Sequence, residues 1–249
     1  MTKLLVRRSL CFTLNLFSVM NSPYWESRQS ITPDTALALL QEGNERFINN
    51  LRINRNLMEL VEETAEEQIP FATILSCSDS RISTSLIFDQ GLGDIISIRQ
   101  AGNIASTNAI GSMEYACSIL GSKLIVVMGH TNCTAVKIAC DDISIGNLGE
   151  MIGHLQCSLH REIETPHHQR TSNNGEFINR VSELNVLHNI ETILNKSPII
   201  REMLEKEEVY LVGAMYSVET GKVTFLDSTA QTTLESMSAS EPFDYELQA

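Results

Sequence analysis

The chain changes its apolar rhythm near residue 70. Before it, Thr32-Pro33-Asp34 reads as a helix start, with a hydroxyl N-cap, a proline in the first turn and an acid beside it. Leu37, Leu40 and Phe47 then fall on one stripe of an amphipathic helix, and a second, charge-rich helix is predicted over Leu57 to Glu67. Neither segment can bury its stripe alone, so this arm has to dock on the rest of the chain or on a second subunit.

After residue 70 short apolar runs of strand length alternate with helical stretches. The runs are Phe71 to Ser76, Ile95 to Ile98, Leu124 to Met128, Val209 to Met215 and, after the turn Thr220-Gly221, Val223 to Leu226. Helices are predicted over Asn108 to Leu120, Thr134 to Cys140, Gly149 to His160, and Glu176 to Glu205 with a kink at Pro198. Strands alternating with helices imply an α/β fold, a central, mostly parallel β-sheet flanked by helices. The chain divides into an extension over 1–31, a domain over 32–227 that includes the helical arm, and a polar tail over 228–249.

Charge narrows the function. Asp and Glu number 31 against 18 Lys and Arg, a net charge of −13. That balance repels phosphate backbones and anionic lipid, which argues against nucleic acid and membrane surfaces as partners. No apolar run reaches the length of a membrane span. Lys3, Arg7 and Arg8 before Leu10 to Phe17 loosely resemble a signal peptide, but Thr13 and Asn15 interrupt the apolar stretch and no small-x-small cleavage site follows. A cytoplasmic protein is the expectation and export the alternative. The six cysteines lack the spacing of a disulfide scaffold and read as reduced thiols, some buried and some metal ligands.

Two fragments carry candidate chemistry. Cys77-Ser78-Asp79-Ser80-Arg81 follows the first buried strand and Gly129-His130-Thr131-Asn132-Cys133 follows the third. Ligands of parallel sheets bind at the carboxyl ends of strands, so both fragments should face one crevice. Cys77, His130 and Cys133 offer two thiolates and an imidazole, the donor set of a catalytic zinc with one open position. A buried, inert Cys after a strand is the plainer reading of each thiol taken singly. Asp79 and Arg81 lie on one side of an extended chain, where the guanidinium can hold the carboxylate away from a metal; an ordinary loop salt bridge fits the same spacing. His154, His160, His167, His168 and His188 read as solvated surface residues.

Together with Gly93-Asp94, Arg99-Gln100-Ala101-Gly102-Asn103 and Gly111 to Ala116, these fragments make the chain resemble the β-class carbonic anhydrases, in order and interval, from about Thr32 to Leu226. The resemblance implies one zinc per chain on Cys77, His130 and Cys133, with Asp79 and Arg81 as a catalytic pair. It implies that Gln68 turns its amide toward substrate, often in a neighbouring subunit. Ile96, Ala101 and Tyr115 would line an apolar carbon dioxide pocket, and the N–H of Thr134, after Cys133, would meet a substrate oxygen. The implied reaction is reversible hydration of carbon dioxide to bicarbonate and a proton by zinc-bound hydroxide, in a dimer or tetramer. The alternatives are a zinc hydrolase of the same fold acting on carbonyl sulfide or carbon disulfide, and a non-catalytic zinc scaffold. Three departures stand out: Thr134 replaces a usual glycine, Ser83-Thr84-Ser85 replace two prolines and a Glu, and Ile74 replaces the tryptophan of members that carry an inhibitory bicarbonate site, although Arg99 and Tyr216 remain.

Overall fold

The computed structural model describes residues 30–226. The signal-like segment, apart from the last residues of the extension, and the polar tail lie outside the described residues. Thr32 caps helix α1 (Pro33–Ile48), its hydroxyl accepting from the Thr35 N–H at 3.2 Å. Helix α2 (Leu57–Glu63) is shorter than its prediction to Glu67. It stops at Thr64, whose hydroxyl bonds back to the Leu60 carbonyl at 2.7 Å, and the acids Glu66 and Glu67 fall outside the helix.

Strands β1 (Ala72–Ser76), β2 (Ile95–Arg99), β3 (Leu124–His130), β4 (Tyr210–Tyr216) and β5 (Val223–Phe225) form one sheet in the order β2-β1-β3-β4-β5. The first four are parallel; β5 turns back through the 217–222 loop and pairs antiparallel with β4. Between them lie α3 (Thr84–Ile87), α4 (Thr107–Ser118), α5 (Thr134–Cys140), α6 (Leu148–Arg161), α7 (Gly175–Lys196) and α8 (Pro198–Glu205). The predicted kink at Pro198 is a break. Ser197 ends α7 and caps α8, accepting from the Ile200 N–H at 3.1 Å, and Pro198 takes the first helical position.

Strand alternation sorts the core into two layers. Leu75, Ile125, Val127 and Leu211 point to the face covered by α4, α7 and α8, with Met113, Val186, Ile190 and Ile200 packed on them. Ile74, Val126, Met128 and Val212 point to the other face, where Ala36 and Leu40 of α1 join Phe71, Ile87 and Phe88. The arm stripe therefore docks on its own domain through Leu40, with Leu37 and Phe47 half-buried beside it. Leu51, Leu57, Met58 and Val61 of the arm remain exposed. Central β1 and β3 are buried at every position, whereas edge strand β2 is half-exposed along its length. No described helix is long and apolar enough to cross a membrane.

Candidate active site

The carboxyl ends of β1 and β3 sit side by side, Ser76 in register with Met128, so the chain leaving β1 at Cys77 meets the chain leaving β3 at His130. The β1–β2 ladder runs on past Ser76 through Gln100 N–H to Ser76 O and Ser78 N–H to Gln100 O, which fixes Cys77 between them. Beyond His130 the chain turns sharply at Asn132, whose φ of 57° is the left-handed conformation that asparagine tolerates. Asn179 accepts the Asn132 N–H at 2.8 Å, Lys137 bonds the Asn132 side chain, and Cys133 then caps α5.

These turns bring the ligand atoms of Cys77, His130 and Cys133 within 4.8 Å of one another, all three residues buried. His130 Nδ1 lies 2.9 Å from the Thr131 carbonyl, an acceptor, so this nitrogen carries the proton. Nε2, buried and without a hydrogen-bond partner, keeps its lone pair free. The Cys77 thiol is held well below its usual range, first by the Cys133 thiol that donates to it, against the pull of burial, then by His130 and the N–H groups of Gly102 and Asp79. Cys133 is pushed far up for the complementary reason, its hydrogen bond to Cys77. Two buried thiols thus share a proton where a thiophilic cation would replace it, and an orphaned imidazole nitrogen completes the donors. The residues fit zinc.

A turn over Ala101–Asn103 supplies the wall behind Cys77. Gly102 has φ of 69°, and a Cβ there would stand 3.0 Å from Leu155 of α6, so both conformation and space favour glycine. Its N–H donates to Cys77 Sγ at 3.4 Å. Asn185 and Asn189 of α7 hold this segment, Asn185 Nδ2 donating to Gly102 O at 2.8 Å and Asn189 Oδ1 accepting the Ala105 N–H at 2.6 Å.

Asp79 and Arg81 form a fork-to-fork pair. Arg81 Nε donates to Asp79 Oδ1 at 3.0 Å and Nη2 to Oδ2 at 2.8 Å, while the Arg81 backbone N–H also reaches Oδ1 at 3.0 Å. These hydrogen bonds hold the Asp79 carboxyl far below the usual carboxylate range. Oδ2 takes one donor only and has room for another. Arg81 also reaches the Asn132 carbonyl at 3.4 Å, and Arg99 Nη2 donates to the Asp79 carbonyl at 2.8 Å. Arg99 thus props the loop that carries the pair, a contact no local sequence signal announces. The link between Thr131 and Glu219 has no local sequence signal either: the Thr131 hydroxyl donates to Glu219 Oε2 at 2.7 Å, tying the β4–β5 turn to the loop that orients His130.

The remaining expected pocket residues are only partly gathered. Ala101 packs against the apolar cluster around Cys77 and Cys133, and Thr134, exposed, opens α5 beside Cys133. Ile96 pairs with Thr73, three residues below the Ser76–Arg99 pair, about 10 Å down the strand from that edge. Tyr115 is 48% exposed on α4 and Gln68 is exposed before β1. Ile74 is fully buried in the α1 layer.

A family model described as carbonic anhydrase matches residues 72–223. Carbonic anhydrase 2 of Mycobacterium tuberculosis is 33% identical over 199 residues, covering 78% of this chain and 93% of that protein. The β-carbonic anhydrase CafA of Aspergillus fumigatus superposes with a TM-score of 0.63 at 25% identity, over 85% of this chain and 99% of its own. A tetrameric β-carbonic anhydrase of Sordaria macrospora does so with a TM-score of 0.63 at 27% identity, over 69% and 88%. Sequence, sheet order and crevice agree: the chain belongs to the carbonic anhydrase family, in its β class, and is an enzyme of that family.

Proposed function

We propose that the chain catalyses reversible hydration of carbon dioxide to bicarbonate and a proton with one zinc ion held by Cys77, His130 and Cys133. The observation that carries this reading is the convergence of those three ligand atoms within 4.8 Å, beside a preformed Asp79–Arg81 pair. When bound, zinc supplies a Lewis acid that brings the pKa of water to about 7. Arg81 keeps Asp79 ionised and turned away from the thiols, and the free acceptor on Asp79 Oδ2 orients the attacking water. Ala101 forms the apolar floor against which carbon dioxide rests. The Thr134 N–H, in the first turn of α5 and lacking an intrahelical acceptor, receives the oxygen that gains charge.

The exposed positions of Gln68 and Tyr115, with the half-buried Ile96 on the edge strand, suit delivery to the site of a second copy, and the unpartnered apolar residues of the arm suit the contact between copies. We therefore propose a homodimer as the smallest active unit, with the tetramer a doubling of it. The test is zinc analysis with stopped-flow carbon dioxide hydration on wild type and Cys133→Ala, with carbonyl sulfide and carbon disulfide assayed alongside. Loss of both zinc and rate in the variant is expected; full metal content and full rate would overturn the ligand assignment. A sulfur substrate turned over in place of carbon dioxide would overturn the substrate.

A further inference from the structure

Among Cys77, His130 and Cys133, the imidazole is the donor that turns about two side-chain bonds, so it depends most on an outside contact for its aim. His130 Nδ1 lies 2.9 Å from the carbonyl oxygen of Thr131, the next residue in the chain. What fixes that carbonyl therefore fixes the direction of Nε2. Thr131 is held on three sides. Its N–H donates to the Tyr216 carbonyl at 2.9 Å, one step past the last β3–β4 pair. The peptide that carries its carbonyl ends in the Asn132 N–H, which donates to Asn179 Oδ1 at 2.8 Å. Its hydroxyl donates to Glu219 Oε2 at 2.7 Å and accepts the Val218 N–H at 3.0 Å. The first two contacts use backbone groups of the loop, whereas the third needs a hydroxyl at 131 and an acceptor at 219.

We propose that Thr131 and Glu219 are positioning residues for the metal ligand His130, acting through the Thr131 carbonyl rather than on the metal. The inference rests on the zinc reading above. Glu219 is exposed, yet its carboxylate is braced. Ser217 Oγ donates to the same Oε2 at 3.1 Å, and the turn is closed by the Ser217 N–H on Lys222 O at 2.9 Å and the Gly221 N–H on Ser217 O at 2.8 Å. Beneath the turn Asn44 of α1, itself buried, donates to the Gly221 carbonyl at 3.0 Å and accepts the Val223 N–H at 2.8 Å. The carboxylate thus hangs from a turn fastened to the helical arm and holds a threonine 88 residues away in the chain. Outer contacts of this kind, which orient a ligating imidazole, are worth about 10–100-fold in metal affinity.

The test measures zinc affinity of the full chain by competition with a chromophoric chelator, and ligand geometry by the visible bands of the cobalt(II)-loaded chain. Thr131→Val keeps the side-chain shape and removes the hydroxyl; Glu219→Ala removes its acceptor. Each should weaken zinc binding about 10–100-fold and shift the cobalt bands. Thr131→Ser should bring both readings back to wild type. The double variant should bind zinc no more weakly than the weaker single one, because all three lose the same contact. Wild-type affinity and bands in Glu219→Ala, no recovery in Thr131→Ser, or losses that add in the double variant would each overturn the assignment. So would a lower urea midpoint of the metal-free variants with zinc affinity unchanged, the mark of a purely structural contact. Glu219 is exposed on a turn, so its variant decides the matter even if Thr131→Val fails to fold. A wild-type chain that binds no zinc would instead overturn the metal reading on which the assignment rests.

Discussion

Asp89 is the point at which the arm is fastened, and Asp89→Asn tests how firmly. The carboxylate is 4% exposed and accepts from Arg46 Nε at 2.6 Å, Arg55 Nη1 at 2.8 Å and the Ile53 N–H at 3.2 Å. One residue of the domain thereby holds the end of α1 and the strap leading to α2. Hydrogen bonds to charged groups contribute about 1.5–3 kcal/mol each, and removing one partner of a buried pair costs about 3–5 kcal/mol. The guanidiniums keep 27% and 20% exposure and recover part of their hydration, which lowers the expected loss to about 2–4 kcal/mol. Asp89 has φ of 46°, which asparagine accepts, so the variant removes charge without adding strain. Burial pushes the Asp89 carboxyl up, but Arg46, Arg55 and the Ile53 N–H outweigh it and hold the group below the usual range. A depressed folded pKa contributes stability above the ordinary carboxylate pKa of about 3.9, lost as pH falls through the folded value. Urea unfolding followed by circular dichroism should therefore show a lower midpoint at pH 7 and a shallower acid limb in the variant. A change below about 0.5 kcal/mol, with the acid limb intact, would refute the clamp.

Arg81→Ala removes both side-chain donors from Asp79; hydration should fall by about 10²-fold or more with zinc retained, and Arg81→Lys should recover little because it lacks the fork, as stopped-flow rates and metal analysis will show. Gly43→Ala would set a Cβ 1.8 Å from the Phe88 carbonyl, backbone that cannot step aside, and should cost at least about 3 kcal/mol by thermal or urea unfolding. Glu191 is held down to about 2, first by His188 and then by Arg161, with burial opposing, so it contributes stability above the ordinary glutamate pKa that is lost as pH falls toward 2. Glu191→Gln should flatten the pH dependence of the unfolding midpoint in that window and leave hydration at pH 7 unchanged.

The parts of the fold legible in the sequence are those decided locally. The unbroken apolar runs of β1 and β3 correspond to strands buried on both faces, and Thr134 to Cys140 is helical over the predicted span. The crevice was legible for a related reason: both motifs follow buried strands, and neighbouring parallel strands bring their ends together whatever lies between. What was not legible depends on contacts far apart in the chain. Nothing near Asp89 marks it as the partner of Arg46 and Arg55, and nothing near Asn185 or Asn189 shows that their amides hold Gly102 and Ala105. The run Ile95 to Ile98 looks like that of a central strand but belongs to an edge, because strand order is a global property. The end of α7 was blurred because Ser197 and Pro198 stop one helix and start the next, leaving the apolar pattern continuous.

Strand β2 has a consequence for the life of the chain before it reaches its working state. Among the described residues it pairs with β1 alone, so its outer row of amides and carbonyls is unclaimed, and Ile95, Ile96 and Ile98 flank that row with half-covered hydrocarbon. Such a margin is adhesive toward any extended peptide, and the usual protections of a short bulged rim, an inward charge or a proline are missing between Ile95 and Ile98. Arg99 guards only the far end. A newly made chain is therefore open to strand addition along this margin for as long as nothing covers it.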